Sequence, residues 1–391
     1  MSREELRSSL ALASIFALRL FGMFIILPVF ALWTQGRPGW SLQLAGVAMG
    51  AYGLTQGVLQ IPYGWLSDRV GRKPMLYVGL AIFAAGSFIC AFGEDPWVMI
   101  AGRIVQGAGA ISGVAIATVA DLTRESQRTK AMAIVGSTIA AVFAISFVLA
   151  PFLEHAIGLT GIFAMTGVLV LCAMGVVRWL VPDAPVSPRA SSAAAFAGIF
   201  RNVELLRLYV GIFVLHAVLM AIFVVVPVAL VQAGLPAAEH TWIYLGCVGA
   251  GLVLMVPAIV GRVASHGRVI FLVSVALIVA ALALLAAELH SLVGIVASLV
   301  IFFAGFNVLE AKLPALVSRA APAESRGAAT GVYSSVQFLG TFFGAAAGGT
   351  IAQHGGFVAV LVTCLAITVA WLAAAWNMND FVPAASPASR T

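Results

Sequence analysis

Long apolar segments alternate with short polar ones along nearly the whole chain. A helix needs about 20 mostly apolar residues to cross the hydrocarbon core of a bilayer, which is about 30 Å thick. Twelve segments come close to this length: 10–33, 43–66, 75–93, 97–119, 130–153, 160–181, 208–231, 240–260, 269–287, 292–316, 327–350 and 356–376. They are continuously apolar, unlike the alternating strands of outer-membrane barrels. The pattern predicts an all-α membrane protein with twelve membrane-spanning helices, called spans 1 to 12 below.

The composition of the chain agrees with a bilayer as its solvent. Charged residues make up 9% of the sequence and hydrophobic residues 62%, and the mean hydropathy is +1.07. Soluble globular proteins carry about 25% charged residues. Cys90, Cys172, Cys247 and Cys364 lie in apolar runs without a CxxC spacing, so they predict neither a disulfide framework nor a metal site.

Basic residues are concentrated on one predicted side of the membrane. If the N-terminus is cytoplasmic, the outside loops contain only Arg37, whereas 17 of the 21 basic residues lie in cytoplasmic loops and tails: Arg3, Arg7, Arg69, Arg72, Lys73, Arg124, Arg128, Lys130, Arg178, Arg189, Arg201, Arg207, Arg262, Arg268, Arg319, Arg326 and Arg390. The positive-inside rule then predicts a multi-pass protein of the inner (cytoplasmic) membrane with both termini in the cytoplasm. Basic loops also attract anionic lipid head groups, so membrane lipids are expected partners and nucleic acid is not.

The two halves of the sequence repeat one pattern. Pro28 and Pro227 stand 199 residues apart, Arg19 and His216 stand 197 apart, and Arg128 and Arg326 stand 198 apart. We therefore predict two pseudo-symmetric six-helix bundles at 1–181 and 207–380, a cytoplasmic linker at 182–206 and a cytoplasmic tail at 381–391. Transporters built from two parallel repeats bind substrate near the membrane midplane, between the repeats.

Two polar motifs interrupt the apolar pattern. "GWLSDRVGRK", from Gly64, matches G-x-x-x-D-R-x-G-R-[KR] between spans 2 and 3, and "RIVQGAG", from Arg103, matches R-x-x-Q-G-x-G in span 4. By these motifs the chain resembles the major facilitator superfamily, through all twelve spans. "DLTRESQRTKAMA" (from Asp121), "FNVLEAKLPALVS" (from Phe306) and "GVYSSVQFLG" (from Gly331) are similar to its proton-coupled drug-efflux branch, particularly to YajR-type transporters. The resemblance implies the major facilitator fold.

The loop between spans 2 and 3 is predicted to form a conformational latch. Asp68 follows Gly64 by one helical turn on the same face, and a carboxylate there is placed to meet the positive N-terminus of a neighbouring helix. The resemblance implies that span 11 is that neighbour and that Arg72 pairs with Asp121 at the inner end of span 4. An ordinary positive-inside loop is the alternative, and it does not account for Asp68. The predicted latch residues are Gly64, Asp68, Arg69, Gly71, Arg72 and Asp121.

Polar groups inside spans are the strongest pointers to a transport pathway, since a charge at the bilayer centre costs from about 2.5 to over 10 kcal/mol. The candidates for a coupling or substrate cavity are Arg19, Arg103, Gln106, His216, Asn307 and Glu310. Glu310 is the only acid well inside any span, so it is the preferred proton carrier, with a structural role as the alternative. Arg103 is either a pin bonded to the backbone of span 1 or a coupling residue. His216 is either a proton carrier or a packing histidine.

These patterns predict a secondary transporter, not an enzyme, which exports small organic molecules by proton-coupled alternating access. It is expected to be a monomer without a cofactor, driven by a proton gradient. An importer or uniporter of a neutral or anionic metabolite is the alternative, because Arg19 stands in span 1 where transporters of cationic drugs often carry an acid. In span 5, moreover, "APFLEH" lacks the glycines of the antiporter pattern G-P-x-x-G-G. A membrane enzyme or a channel is a weaker hypothesis, since the chain lacks GxxxxGK[ST] and HExxH motifs.

Overall fold

A computed structural model describes residues 1–183, 198–259, 267–322 and 325–378. All regular secondary structure within these ranges is helical. The α-helices are Arg3–Phe24, Leu27–Trp33, Leu42–Val70, Arg72–Phe92, Pro96–Ala108, Ser112–Asp121, Arg128–Leu180, Val203–Gln232, His240–Ile259, Gly267–Ala287, Leu292–Ala320 and Arg326–Trp376. Most of the predicted linker and the predicted tail at 381–391 lie outside the described residues.

The helices account for the twelve predicted spans. Within the described ranges, nine segments are long and apolar enough to cross a membrane, and two of them are 51 residues long. Each long segment contains one non-helical residue, Gly158 (φ 67°) or Gly356 (φ 78°), and therefore provides two spans. Leu42–Val70, with 29 residues, is the remaining span. The predicted all-α membrane fold is confirmed.

Local sequence determines where several spans begin. The Asp95 carboxylate accepts hydrogen bonds from the backbone N–H groups of Trp97 and Val98 at 2.9 and 3.2 Å, and Pro96 follows at the first helical position. Ser41 and Ser291 cap spans 2 and 10 in the same way. Such caps satisfy N–H groups that have no partner within the helix.

The internal repeat is visible in the backbone. Gly36 and Gly234, which have φ values of 71° and 90°, lie 198 residues apart. Gly158 and Gly356, at the turns that end spans 5 and 11, are also 198 residues apart. A positive φ is a conformation that glycine adopts far more readily than other residues. Equivalent turns in the two halves are therefore built by equivalent glycines, at the spacing that the sequence repeat predicts.

Spans 2 and 11 pack closely along much of their length. A Cβ on Gly50 would lie 2.8 Å from the carbonyl oxygen of Phe342, and a Cβ on Gly57 would lie 2.9 Å from that of Ser335. At the far end, the backbone N–H of Leu42 donates to Oε1 of Gln353 at 3.0 Å. Small residues allow helix backbones to approach each other in a membrane, so the glycines of span 2 bring the first half of the chain against the second.

The same two spans diverge toward the end of the molecule that carries the basic loops, called the basic end below. On the face of span 2 that contains Gly57, Gly64 lies two turns further along, and a Cβ there would have no atom within 4 Å. Gly331 and Gly327, one and two turns before Ser335 on span 11, also face open space. The first and second halves are therefore in contact away from the basic end and separated near it.

An aromatic cluster joins the halves on the closed side. Phe147 of span 5 packs against Phe223 of span 7, with ring centroids 4.8 Å apart, and against Tyr244 of span 8, at 5.9 Å. Phe143 of span 5 lies 6.1 Å from Phe306 of span 10 with nearly parallel rings. These rings, which are buried except for the partly buried Phe143, close the space between the halves on this side.

Candidate functional site

Arg72 is the centre of the predicted latch. Its Nε donates to Oδ2 of Asp121 at 2.9 Å, and its Nη1 lies 2.5 Å from Oδ1 of Asp68. Nη1 also donates to Oγ of Ser67 at 2.6 Å. The guanidinium therefore connects spans 2, 3 and 4 at the basic end. The Arg72–Asp121 pair that the resemblance implies is present, whereas the described contacts of Asp68 are with Arg72 and not with the start of span 11.

The other predicted latch residues have different surroundings. Gly71, with φ 104°, separates the end of span 2 from the start of span 3, and its N–H donates to the Ser67 carbonyl at 3.1 Å. Arg69 stacks over the ring of Trp65, with its Cζ 3.7 Å from the ring centroid. Gly64 makes no close helix contact. The Gly64 carbonyl accepts a hydrogen bond from Ser67 Oγ at 2.7 Å. The structure therefore brings together Asp68, Arg72 and Asp121, connects Gly64 to them through Ser67, and leaves Arg69 outside this network.

The loop that follows Asp121 is held by the N-terminal turn of span 1. Arg124 donates from Nε to Glu5 Oε1 at 2.9 Å and from Nη2 to Glu5 Oε2 at 3.1 Å. This hydrogen-bonded carboxylate raises the pKa of Arg124 above its ordinary value. Glu5 also accepts the backbone N–H of Ser2 at 2.7 Å within a capping box. The latch and the start of the chain are thus connected through one short loop.

Arg19 lies inside the first half of the molecule. Its side chain is buried and donates to Gln56 of span 2 and, at 2.5 Å, to Oγ of Ser112 in span 4. Its Cζ lies 5.7 Å from the ring centroids of Tyr52 and Phe83. The described residues supply no carboxylate partner, so hydroxyl, amide and aromatic groups stabilise the charge.

Arg103 and Gln106 form a second buried group beside Tyr52. Arg103 donates to the carbonyl oxygens of Ala48 and Met49 at 3.4 and 3.3 Å and to Oε1 of Gln106 at 2.5 Å. Gln106 in turn donates to Ser87 at 2.9 Å. The backbone that Arg103 binds belongs to span 2 and not to span 1, because Arg103 faces the first third of span 2 across the interior of the first half.

His216, Glu310 and Gln337 meet in the second half and are called the acid–histidine cluster. His216 Nε2 lies 3.7 Å from Glu310 Oε2. The amide nitrogen of Gln337 lies 2.9 Å from His216 Nε2 and donates to Glu310 Oε1 at 3.2 Å. Because the Gln337 amide nitrogen can only donate, Nε2 of a neutral His216 imidazole accepts its hydrogen bond. The cluster joins spans 7, 10 and 11.

The acid–histidine cluster lies on the face of span 10 that is turned toward the first half. Phe306 and Asn307 are four and three residues before Glu310 and therefore share its face. Phe306 contacts both His216, at 5.9 Å, and Phe143 in span 5, at 6.1 Å. The Glu310 side chain is 36% exposed, whereas that of His216 is 10% exposed. The carboxylate therefore lies between a buried imidazole and accessible space.

Several polar atoms of this region have no hydrogen-bond partner among the described residues. They are Glu310 Oε2, Asn307 Nδ2 and the hydroxyl oxygens of Tyr333 and Ser335. Unsatisfied buried groups cost free energy and are rare in native proteins. Both donors and acceptors are thus available here to a proton, to water or to a small polar molecule.

The sequence pattern did not single out several uncharged polar residues of these clusters. Gln337, Gln56 and Ser112 are uncharged, so a search for ionisable groups passes over them, although an amide or hydroxyl in an apolar run is itself a signal. The repeat offered a second signal. Ser112 and Glu310 are 198 residues apart, close to the 197 that separate Arg19 from His216. The Arg19–Ser112 contact and the His216–Glu310 contact are therefore equivalent in the two halves.

Comparison with known proteins identifies the family. The sequence profile described as Major Facilitator Superfamily matches residues 12–345. The chain belongs to the Major Facilitator Superfamily. It is therefore a multi-pass membrane protein and a secondary transporter of small molecules, and this family does not consist of enzymes. The resemblance that the two polar motifs indicated is confirmed.

Relatives within the superfamily are also transport proteins. The chain is 40% identical to Inner membrane transport protein YajR of Escherichia coli (strain K12) over 385 residues, which is 97% of this chain and 85% of that protein. It is 33% identical to Multidrug resistance protein D of the same organism over 162 residues, 39% of this chain and 40% of that protein.

Solved structures share the fold at low sequence identity. The human organic anion transporter MFSD10 (TETRAN) superposes with a TM-score of 0.72 at 15% identity, over 96% of this chain and 100% of that one. A bacterial homologue of the human lysosomal transporter Spinster, in an inward-facing and unoccupied conformation, gives 0.73 at 13% identity, over 96% and 97%. At this level of identity the match establishes the major facilitator fold.

Proposed function

We propose that this protein is a proton-coupled transporter of the inner membrane that exports small organic molecules by alternating access. The acid–histidine cluster is the observation that carries the proposal. Glu310 provides a titratable acid and His216 a titratable base within 4 Å of each other, and Gln337 hydrogen-bonds Glu310 and lies within hydrogen-bonding distance of His216. No other carboxylate stands well inside a span.

The geometry of the cluster supports a proton-carrying role. Glu310 is the more exposed partner, so it is the group that exchanges protons with water in the space between the halves. A proton on Glu310 removes its charge and weakens its attraction for a charged His216. Substrate and proton therefore compete for, or share, the same polar atoms, and Asn307 on the same face adds a further donor.

Alternating access is supported by the contacts between the halves. Spans 2 and 11 touch at Gly50 and Gly57 and separate beyond Gly64, while the Phe147 aromatic cluster closes the other side. If the basic end is cytoplasmic, this is the state open to the cytoplasm. Rocking of one half against the other would separate the Phe147 contacts while bringing spans 2 and 11 together at the basic end, and would thereby exchange the open side.

The latch is proposed to act on this rocking motion. Arg72 holds Asp68 in a position where span 2 diverges from span 11, and Asp68 is 31% exposed. When the basic end closes, span 11 approaches this carboxylate, and the positive N-terminus of span 11 becomes available to it. Gly64 and Arg69, in the last turns of span 2, and Gly71, between spans 2 and 3, are proposed to support the shape of this connection.

The outward direction is supported by resemblance to drug-efflux transporters, among them a relative named for multidrug resistance. An importer or uniporter of neutral or anionic metabolites is the second candidate. Arg19 favours it, because a buried permanent cation in span 1 disfavours a cationic substrate nearby. We propose that a proton gradient is the energy source and that transport uses no cofactor.

Glu310→Gln tests the proton-carrying role. Candidate substrates come from a screen of charged and neutral organic compounds. The compounds that raise the melting temperature of the purified protein are taken forward. In proteoliposomes with a pH dye inside, we expect the wild type to move protons with substrate and the variant to lose this proton flux. Substrate exchange without a pH gradient should continue, since glutamine keeps the shape and the contact to Gln337.

Glu239→Gln is the matched control, because Glu239 is exposed in the loop between spans 7 and 8. It should keep full proton flux. Unchanged proton flux in folded Glu310→Gln would remove Glu310 from this role, and substrate flux without proton flux in the wild type would favour a uniporter.

A further inference from the structure

Two grooves on the surface of the molecule occupy equivalent places in the repeat. The N-terminal groove, of about 430 Å³, lies between the first turns of span 1 and the end of span 6 and includes Arg3, Leu6, Arg7, Leu10 and Leu180. The C-terminal groove, of about 160 Å³, lies between the first turns of span 7 and the end of span 12 and includes Val203, Leu206, Arg207, Val210 and Met378.

The span 1 side of the N-terminal groove corresponds to the span 7 side of the C-terminal groove at a spacing of 200 residues. Leu6 and Leu206 are 200 residues apart, as are Arg7 and Arg207. In each groove the arginine binds the backbone at the end of the opposite span. Arg7 Nη2 donates to the carbonyl of Trp179 at 3.2 Å, and Arg207 Nη1 donates to the carbonyl of Asn377 at 3.0 Å. The groove is thus a structural feature that is present once in each half of the chain.

The N-terminal groove changes from charged to apolar along its length. Arg3 and Arg7 lie at the basic end, where a membrane surface would be, and Trp179 beside them is 76% exposed, as is usual for interfacial tryptophan. Leu6 and Leu10, which are 43% and 51% exposed, continue toward the membrane interior. This order matches a phospholipid, whose phosphate lies at the interface and whose acyl chains lie below it.

Charge distinguishes the two grooves. Within the described residues, neither Arg3 nor Arg7 has a carboxylate within 4.0 Å; in the C-terminal groove Val203 takes the place of Arg3, and Arg207 forms an ion pair with Glu204 at 3.2 Å. One guanidinium has five N–H donors, and Arg7 uses one of them on Trp179. Glu4 holds the repeat position of Glu204 but forms no such ion pair with Arg7. Among the residues that the structure describes, the N-terminal groove therefore presents two arginines without an ion-pair partner, and the C-terminal groove does not.

We infer that the N-terminal groove binds an anionic phospholipid, with its phosphate at Arg3 and Arg7 and an acyl chain along Leu6 and Leu10. The C-terminal groove, which is smaller and neutralised, does not distinguish anionic from zwitterionic lipid. A bound lipid would connect span 1 to span 6 at the basic end, next to the loop where Glu5 holds Arg124. The inference does not depend on which substrate is carried.

The test is lipid binding to the delipidated full-length protein, followed by native mass spectrometry. Dioleoyl phosphatidylglycerol is the anionic probe and dioleoyl phosphatidylcholine is the zwitterionic one. We expect the wild type to bind the anionic lipid more tightly. In the double variant Arg3→Gln/Arg7→Gln, we expect apparent affinity for the anionic lipid to fall about 30-fold, as for the loss of two arginines at a membrane surface.

Arg207→Gln is the matched control from the equivalent groove and should leave the preference for the anionic lipid unchanged. Equal affinity for both lipids in the wild type, unchanged binding in the double variant, or an equal loss in Arg207→Gln would each overturn the assignment. Arg3→Lys/Arg7→Lys keeps both charges and should retain the preference for the anionic lipid. If this lysine variant melts like the wild type and yet loses the preference, the assignment is also overturned.

Discussion

At the scale of single residues, the role of a buried charged side chain follows from the groups that surround it. Arg103 donates to two carbonyl oxygens of span 2 and to Gln106. Arg19 is bonded to Gln56 and Ser112. Both side chains face the interior of the first half, so these contacts favour structural roles. The titratable pair, His216 and Glu310, lies instead in the second half, beside accessible space.

Arg103→Lys should destabilise the protein. A lysine ammonium cannot reproduce the planar fork that reaches Ala48, Met49 and Gln106 together. Loss of buried hydrogen bonds of this kind costs about 1–3 kcal/mol, so the melting temperature of the detergent-purified protein should fall. Proton flux, measured on the folded fraction in proteoliposomes, should persist.

Arg37→Lys is the comparison for this substitution. Arg37 pairs with Glu94 at 2.8 Å on the surface, where both side chains are more than one-third exposed, and surface ion pairs contribute little. We expect no measurable change in melting temperature. A stable Arg103→Lys protein without proton flux would instead assign Arg103 to coupling.

At the scale of the helical elements, the latch predicts a change in conformational balance. Asp68→Asn keeps the shape of the side chain but removes the charge that is available to the N-terminus of span 11. The state closed at the basic end should therefore lose stabilisation. We expect the balance to move toward the state described here, by several-fold, with little change in substrate affinity.

Cysteine accessibility measures this balance. In a Cys172→Ser background, Gly331→Cys reports on the open basic end, and Ala352→Cys, at a buried position of span 11, reports on the closed side. Asp68→Asn should speed labelling at the first position and slow it at the second. Asp183→Asn is the control, because Asp183 pairs with Lys73 while 91% exposed. Unchanged labelling at both positions would be evidence against the latch.

At the scale of the whole molecule, the distribution of basic residues predicts the orientation in the membrane. Glu125, in the loop before span 5, and Glu239, in the loop before span 8, are both exposed and lie on opposite predicted sides. In the same Cys172→Ser background, a membrane-impermeant maleimide should label Glu239→Cys in intact cells. It should label Glu125→Cys only after the cells are permeabilised. The reverse pattern would contradict the prediction that both termini are cytoplasmic.

The sequence alone was sufficient for the features that depend on local pattern. Span positions follow from runs of apolar residues, because each helix must satisfy its own backbone in lipid. The repeat follows from matched residues such as Pro28 and Pro227. The superfamily follows from the loop motif that contains Asp68 and Arg72, since its spacing is set within one turn of helix and one tight loop.

Only the tertiary structure decided which residues meet. The rotation of each helix and its neighbours are set by packing over the whole molecule, so the sequence could not show that Arg103 binds span 2 instead of span 1. For the same reason it did not join Gln337 to His216 and Glu310, which come from three spans, or bring Arg7 to the end of span 6. The apolar pattern determines that a helix crosses the membrane; contacts between helices determine what its polar residues do.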